Sequence, residues 1–185
     1  MVEASGASRI VVAETGNKRT NITEQDTQST IRDLASWFET NAAAHYTAQM
    51  VPKANGATAD QVGAVLTEVG AQASHLAISL QKYNGGLQYL DTFVGLSVDE
   101  LNALGTQHGL KARKILPFAK DVDESLQCLQ INDDGSETVI SFDTSDGSVM
   151  ENLNMTYAQY LEDIRTKLLT SKLVYEEGLG LVSVA

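Results

Sequence analysis

The chain has one cysteine in 185 residues, Cys128. It can form no intramolecular disulfide and no Cys-based zinc site. No apolar stretch approaches the ~20 residues that a membrane-spanning helix needs. The opening MVEASGASRIVVAETG carries no basic leader, and its apolar run at 10–13 is too short for a signal peptide. Positive charge is scarce, with 13 Lys and Arg against 24 Asp and Glu and a net charge of −11. A nucleic-acid binder needs a cationic face to meet phosphates, so neither nucleic acid nor a membrane is an expected partner. What remains is ordinary globular material, 43% hydrophobic and 20% charged, in a chain long enough to bury a core without staples. The expectation is a soluble, acidic, cytoplasmic protein of one domain.

The missing positive charge is local. Residues 1–120 hold ten basic and eleven acidic residues, and 165–185 hold three and two. The window 121–164 holds eleven acidic residues and no Lys or Arg. Two readings stand: a solvated face that aids solubility, or a negative surface that steers a basic protein partner. Composition alone does not separate them.

Catalytic patterns are absent as well. His45, His75 and His108 are far apart in sequence and fit no metal-ligand spacing, and no G-x-S-x-G nucleophile elbow occurs. Cys128 lies among Leu126, Leu129 and Ile131 in a predicted strand, where it reads as a small buried hydrophobe. The acidic turns fail as EF-hands. With Gly135 at position six of the loop, position one is Gln130 and position twelve is Ser141; with Gly147 there, position one is Phe142. Gly178-x-Gly180 lacks the third glycine and the helix of a phosphate loop. No catalytic residue, metal or cofactor is expected.

The elements follow from capping and periodicity. Residues 1–22 are rich in Ser, Thr, Asn and Gly and read as a flexible arm, with 10–12 its one strand candidate. Thr23-x-x-Asp26 caps a helix over 24–46 that carries Ile31, Leu34, Ala35, Phe38 and Ala42 on one face. Thr58-x-x-Gln61 opens a second helix whose stripe (Val62, Val65, Leu66, Val69, Ala73, Leu76, Leu80, Tyr83) runs unbroken to a stop at Asn84-Gly85-Gly86. Residues 87–93 are strand-like, and Ser97-x-x-Glu100 caps a short helix ended by Gly109. Strands are predicted over 115–119, 126–131 and 138–142, with a further one starting at Val149. Thr156-x-x-Gln159 opens the last helix, and the tail 172–185 keeps apolar residues able to dock. Helices first, then strands and a closing helix, argue an α+β fold with an antiparallel sheet. The predicted organisation is an arm over 1–22, one domain over 23–171 and a tail over 172–185.

Four segments in order carry a family resemblance. Glu68-Val69-Gly70, then Leu76, Leu80 and Tyr83-Asn84-Gly85-Gly86, resemble the E-x-x-G…L…Y-x-x-N-G-G signature of the SUKH superfamily of Smi/Knr-like domains. Ala73-Ser74 stands where that signature usually has Leu-Pro. The run 115–119 is similar to a family strand, Gly135 and Gly147 fall at its strand turns, and 156–169 with Tyr160-Leu161 is similar to its closing helix. The resemblance spans roughly 58–170 and implies a curved antiparallel sheet packed against helices, with no catalytic residues. It assigns Tyr83, Asn84, Gly85 and Gly86 a structural role, in which Asn84 and Gly86 tolerate positive φ. It also implies action by binding other proteins, as immunity proteins or regulatory scaffolds do.

The functional expectation is a non-enzymatic protein-binding module whose partner has a basic docking surface. Asp133, Asp134, Asp143 and Asp146 are the candidate contacts, on the premise that adjacent hairpin turns merge them into one patch. The alternatives are a structural subunit docking through its terminal arms, and an enzyme of unrecognised type.

Overall fold

A computed structural model describes residues 21–71 and 74–184. All but the last two residues of the expected arm, and the stripe position Ala73, lie outside the described residues. Helix α1 (Glu24–Asn41) continues into α2 (Ala43–His45), a π turn (Tyr46–Met50) and a 3-10 turn (Val51–Lys53). Then come α3 (Ala59–Glu68), α4 (His75–Lys82), β1 (Val94–Gly95) and α5 (Val98–Gln107). Strands β2 (Ile115–Lys120), β3 (Leu126–Ile131), β4 (Glu137–Phe142) and β5 (Val149–Asn152) precede α6 (Tyr157–Leu169). The chain closes with the hairpin β6 (Leu173–Glu176) and β7 (Gly180–Ser183). The fold is α+β.

Each of the four predicted capping pairs forms. Thr23 with Asp26, Thr58 with Gln61, Ser97 with Glu100 and Thr156 with Gln159 all exchange side-chain and backbone hydrogen bonds at helix starts. These bonds reach only three residues, so sequence alone fixes them.

The single helix expected over 58–83 is two helices. Gly70 turns the chain with φ of 71°, and the Ser74 hydroxyl accepts from Leu76 N–H to start α4. The stripe looked continuous because both helices face one core, with Val62 and Leu66 on α3 buried beside Leu76 and Leu80 on α4. The strand expected at 87–93 is instead a short irregular hairpin, in which 87–89 pair back on 93–95 and the chain turns over 90–93. Tyr89 N–H donates to Phe93 O, Asp91 has φ of 52°, and the buried Gln88 amide donates to the carbonyls of Tyr89, Asp91 and Phe93.

Strands β1 to β5 form one antiparallel sheet in sequence order. Alternation sorts their side chains onto two faces. Leu116 and Phe118 of β2, Leu129 of β3 and Val139 of β4 join the main core, with Phe38 of α1 and Leu161 and Ile164 of α6. Ile115, Leu126, Cys128, Ile140 and Phe142 form a smaller core with Leu110 on the other face. Both faces are covered, which is why β2 and β3 read as apolar runs. Inside the main core, the Tyr89 and Tyr157 hydroxyls share a 2.6 Å hydrogen bond and the Tyr160 hydroxyl donates to Gln127.

Leu173 and Leu181 of the C-terminal hairpin are buried in the main core. Asp91 and Leu181 exchange backbone hydrogen bonds of 2.9 Å, which ties that hairpin to the 90–93 turn.

Candidate functional site

Consecutive turns of an antiparallel meander fall at alternate ends of the sheet. The turn carrying Asp133 and Asp134 precedes β4, and the turn carrying Asp143 and Asp146 follows it. A six-residue strand separates its ends by ~20 Å, more than twice the ~8 Å Debye length at physiological salt. The four aspartates are therefore two pairs at opposite ends of β4, which corrects the premise of a single patch.

At the first end, Asp133 accepts from the Lys114 ammonium at 2.9 Å, and that contact lowers its carboxyl pKa. Asp134 accepts from the Ser136 hydroxyl at 2.6 Å and from Ser136 N–H, which lower its pKa. At the other end, Asp143 holds Ser145 in the same way at 2.6 and 2.7 Å, and Asp146 accepts from Ser148 N–H at 2.8 Å. These are turn-forming bonds in which a short carboxylate satisfies backbone two residues on.

The neighbours of Asp143 and Asp146 come from a turn that sequence reading did not connect to them. Thr144 donates its hydroxyl to Glu124 O at 3.3 Å, joining the β4–β5 turn to the β2–β3 turn. Asp121 and Asp123 thereby stand at the same end. Burial raises the Asp121 pKa, and the charge of Asp123 adds to that.

Ion pairs thin the eleven carboxylates of the window unevenly. Glu124, Asp133, Glu162 and Asp163 pair with Lys120, Lys114, Arg165 and Lys167. Glu137 accepts from the Ser74 hydroxyl at 2.7 Å and from Tyr157 N–H at 3.1 Å, where it meets the N-terminus of α6. Among the described residues Asp121, Asp123, Asp134, Asp143, Asp146 and Glu151 have no cationic partner. All of these but Asp134 lie at the β2–β3/β4–β5 end or on β5.

Strand β5 borders this end. All four of its residues are exposed, Val149 at 43% and Met150 at 51%, and its one described partner is β4. Val149 pairs with Phe142 and Glu151 with Ser141, leaving Met150 as an extra residue in a β-bulge.

In the Tyr83–Gly86 segment Gly86 has the positive φ expected of it, whereas Asn84 acts in another way. Helix α4 ends at Lys82, and Tyr83 is extended and buried. Asn84 does not have positive φ; its side-chain oxygen accepts from Val98 N–H at 2.8 Å and so helps cap α5. Gly85 and Gly86 have φ of 93° and 80°. A Cβ would lie 2.8 Å from Ser97 N on Gly85 and 2.3 Å from Gln49 O on Gly86. The pair serves close backbone approach as well as the turn.

Cys128 is buried in the smaller core, and burial pushes its thiol pKa well up, so no thiolate is available. Between α1 and α4 lies a groove of about 630 Å³ whose lining includes Glu24 and Glu39 together with Arg32 and Lys82, a charge set that favours no ligand sign. Among the described residues no three His, Cys, Asp or Glu side chains converge to hold a metal, and no helix is long and apolar enough to cross a membrane. No protein-family model matches the chain, and no curated protein matches it in sequence.

Proposed function

We propose that this chain is a non-enzymatic protein-binding module of SUKH type. It acts by stoichiometric association with a cytoplasmic protein partner, as an immunity protein or a regulatory scaffold would, and the partner presents a basic docking surface. The observation that carries this reading is the residual charge. Asp121, Asp123, Asp143 and Asp146 occupy two joined turns at one end of the sheet and form no ion pair among the described residues, although Arg113 donates to Gly147 O in one turn and Lys120 pairs with Glu124 in the other. Exposed Val149 and Met150 lie beside them. Such a surface raises the encounter rate with a basic partner and makes association salt-dependent. The antiparallel sheet with helices packed against it agrees with the architecture that the resemblance over 58–170 implies. The alternative, a subunit docking through its ends, gains little from the C-terminal segment, because Leu173 and Leu181 are already buried within this chain.

The test is association kinetics with the protein captured on the full chain from its native source. The on-rate is expected to fall about tenfold from low to physiological salt. Converting Asp121, Asp123, Asp143 and Asp146 to Asn should remove most of that dependence, and converting Asp133 and Asp134 should leave it. A captured partner whose rate ignores both salt and the fourfold variant would overturn this reading.

A further inference from the structure

Strand β5 differs from every other strand of the main sheet in having all its residues exposed. No described strand or loop lies along its outer side, whereas the turn after α4 lines the far edge at β1. An open edge offers backbone N–H and C=O groups to any extended chain that can approach. The charge around β5 decides which chains can. Asp143 and Asp146 precede the strand and Glu151 lies within it, and none of the three has a described cationic partner. Two copies of the edge brought together would set these carboxylates against one another, which opposes self-pairing. A basic strand gains from the same charges. Val149 and Met150 add exposed apolar surface for aliphatic side chains between the basic ones. The bulge at Met150 and the four-residue length limit the pairing to a short segment.

We infer that the outer edge of β5 accepts a short extended segment of a partner protein, with Lys or Arg alternating with aliphatic residues, which joins the sheet as a sixth strand. The inference rests on the protein-binding reading above and assigns that binding to one edge.

The test measures amide hydrogen exchange on the full chain at low salt, with a capped octapeptide alternating lysine and valine as the probe. Exchange of the 149–152 amides is expected to slow by about fivefold or more. A glutamate–valine octapeptide and a lysine–valine octapeptide methylated at every amide nitrogen should have no effect. The V149K/M150K variant alters only exposed side chains; it should melt as the parent does and lose the protection. Protection absent from β5, or retained with the methylated peptide, would overturn the inference. So would a concentration-dependent dimer abolished by V149K/M150K, which would give the edge to a second copy. The captured native partner separates the two readings. If it binds parent and V149K/M150K equally with salt-dependent rates, strand addition fails and the binding module stands. If its rate ignores salt and the acidic variants while the peptide still protects β5, steering by the acidic end fails and the β5 edge stands as the acceptor of a basic strand.

Discussion

At the β1 edge of the sheet, Gly86 N–H donates to Gly95 O at 2.8 Å and Gly95 N–H donates to Leu87 O at 2.7 Å, so the turn after α4 occupies the strand's open side. At the β5 edge, Val149, Met150, Glu151 and Asn152 are all exposed, and β4 is their one described strand partner. The covered edge is made by backbone approaching backbone. It depends on two adjacent glycines, on Asn84 reaching Val98 N–H, and on Gln88 holding the 90–93 turn. The open edge is made by charge and a bulge, which discourage pairing without blocking it. The difference teaches where alteration is costly: the covered edge is part of the folding unit, and the open one is surface.

The largest effect is expected from breaking the covered edge. Gly86→Val forces a Cβ into Gln49 O at a φ of 80°, and Gly85→Val does the same toward Ser97 N at 93°. Each should cost on the order of 3 kcal/mol, read as a lowered melting temperature or denaturant midpoint. Variants that melt with the parent would remove the close-approach account of this edge. Asn84→Ala takes the acceptor from Val98 N–H and should cost about 1 kcal/mol, with α5 amides exchanging faster.

The middle of the sheet supplies the reference between the two edges. Cys128 on β3 has a neighbouring strand on each side and is fully buried, so thiol reagents should label the native protein only through global opening. Cys128→Ala should cost about 1 kcal/mol through lost packing. At the open edge V149K/M150K should shift stability by less than about 0.5 kcal/mol, and parent β5 amides should exchange far faster than those of β3.

The smallest effect concerns the acidic end itself. Asp143 should titrate below the ordinary aspartate value of 3.8, because the Ser145 hydroxyl and N–H bond its charged form. Asp121 should titrate above 3.8, because burial disfavours its charge. The signs oppose. Asp143 contributes stability that is present above 3.8 and lost as pH falls through its lower native pKa. The penalty on Asp121 is relieved as pH falls through its raised native pKa. Carboxyl carbon shifts followed through an acid titration check both directions, and Asp143 titrating above Asp121 would break the assignment.

Much of the fold was legible because much of it is local. The reach of a Thr or Ser side chain to the third residue fixes a helix start wherever the chain goes, and strands β2, β3 and β4 followed from apolar runs between turn residues. Two elements escaped. Helices α3 and α4 merged because a stripe records which side is buried, not whether the axis continues past Gly70. Residues 87–93 passed for a strand because their burial comes from a turn held by Gln88 and Leu181, contacts distant in sequence or made by a side chain.

The candidate site divides along the same line. The excess of acid in 121–164 is a property of the sequence and needs no structure. Which carboxylates are neighbours is a property of the meander. Asp143 stands with Asp121 and Asp123, about twenty residues earlier, and not with Asp134, because antiparallel pairing sends each successive turn to the opposite end. Of the pairs that balance the window, Lys120–Glu124, Arg165–Glu162 and Lys167–Asp163 lie within four residues, whereas Lys114 reaches Asp133 only because β2 and β3 pair. The sequence by itself determined the local elements, their caps and the sign of the surface, since these depend on residues within a few positions of one another. Tertiary structure alone decided the open edge and the charge beside it, since both depend on which strands pair and which segments fold back to cover them.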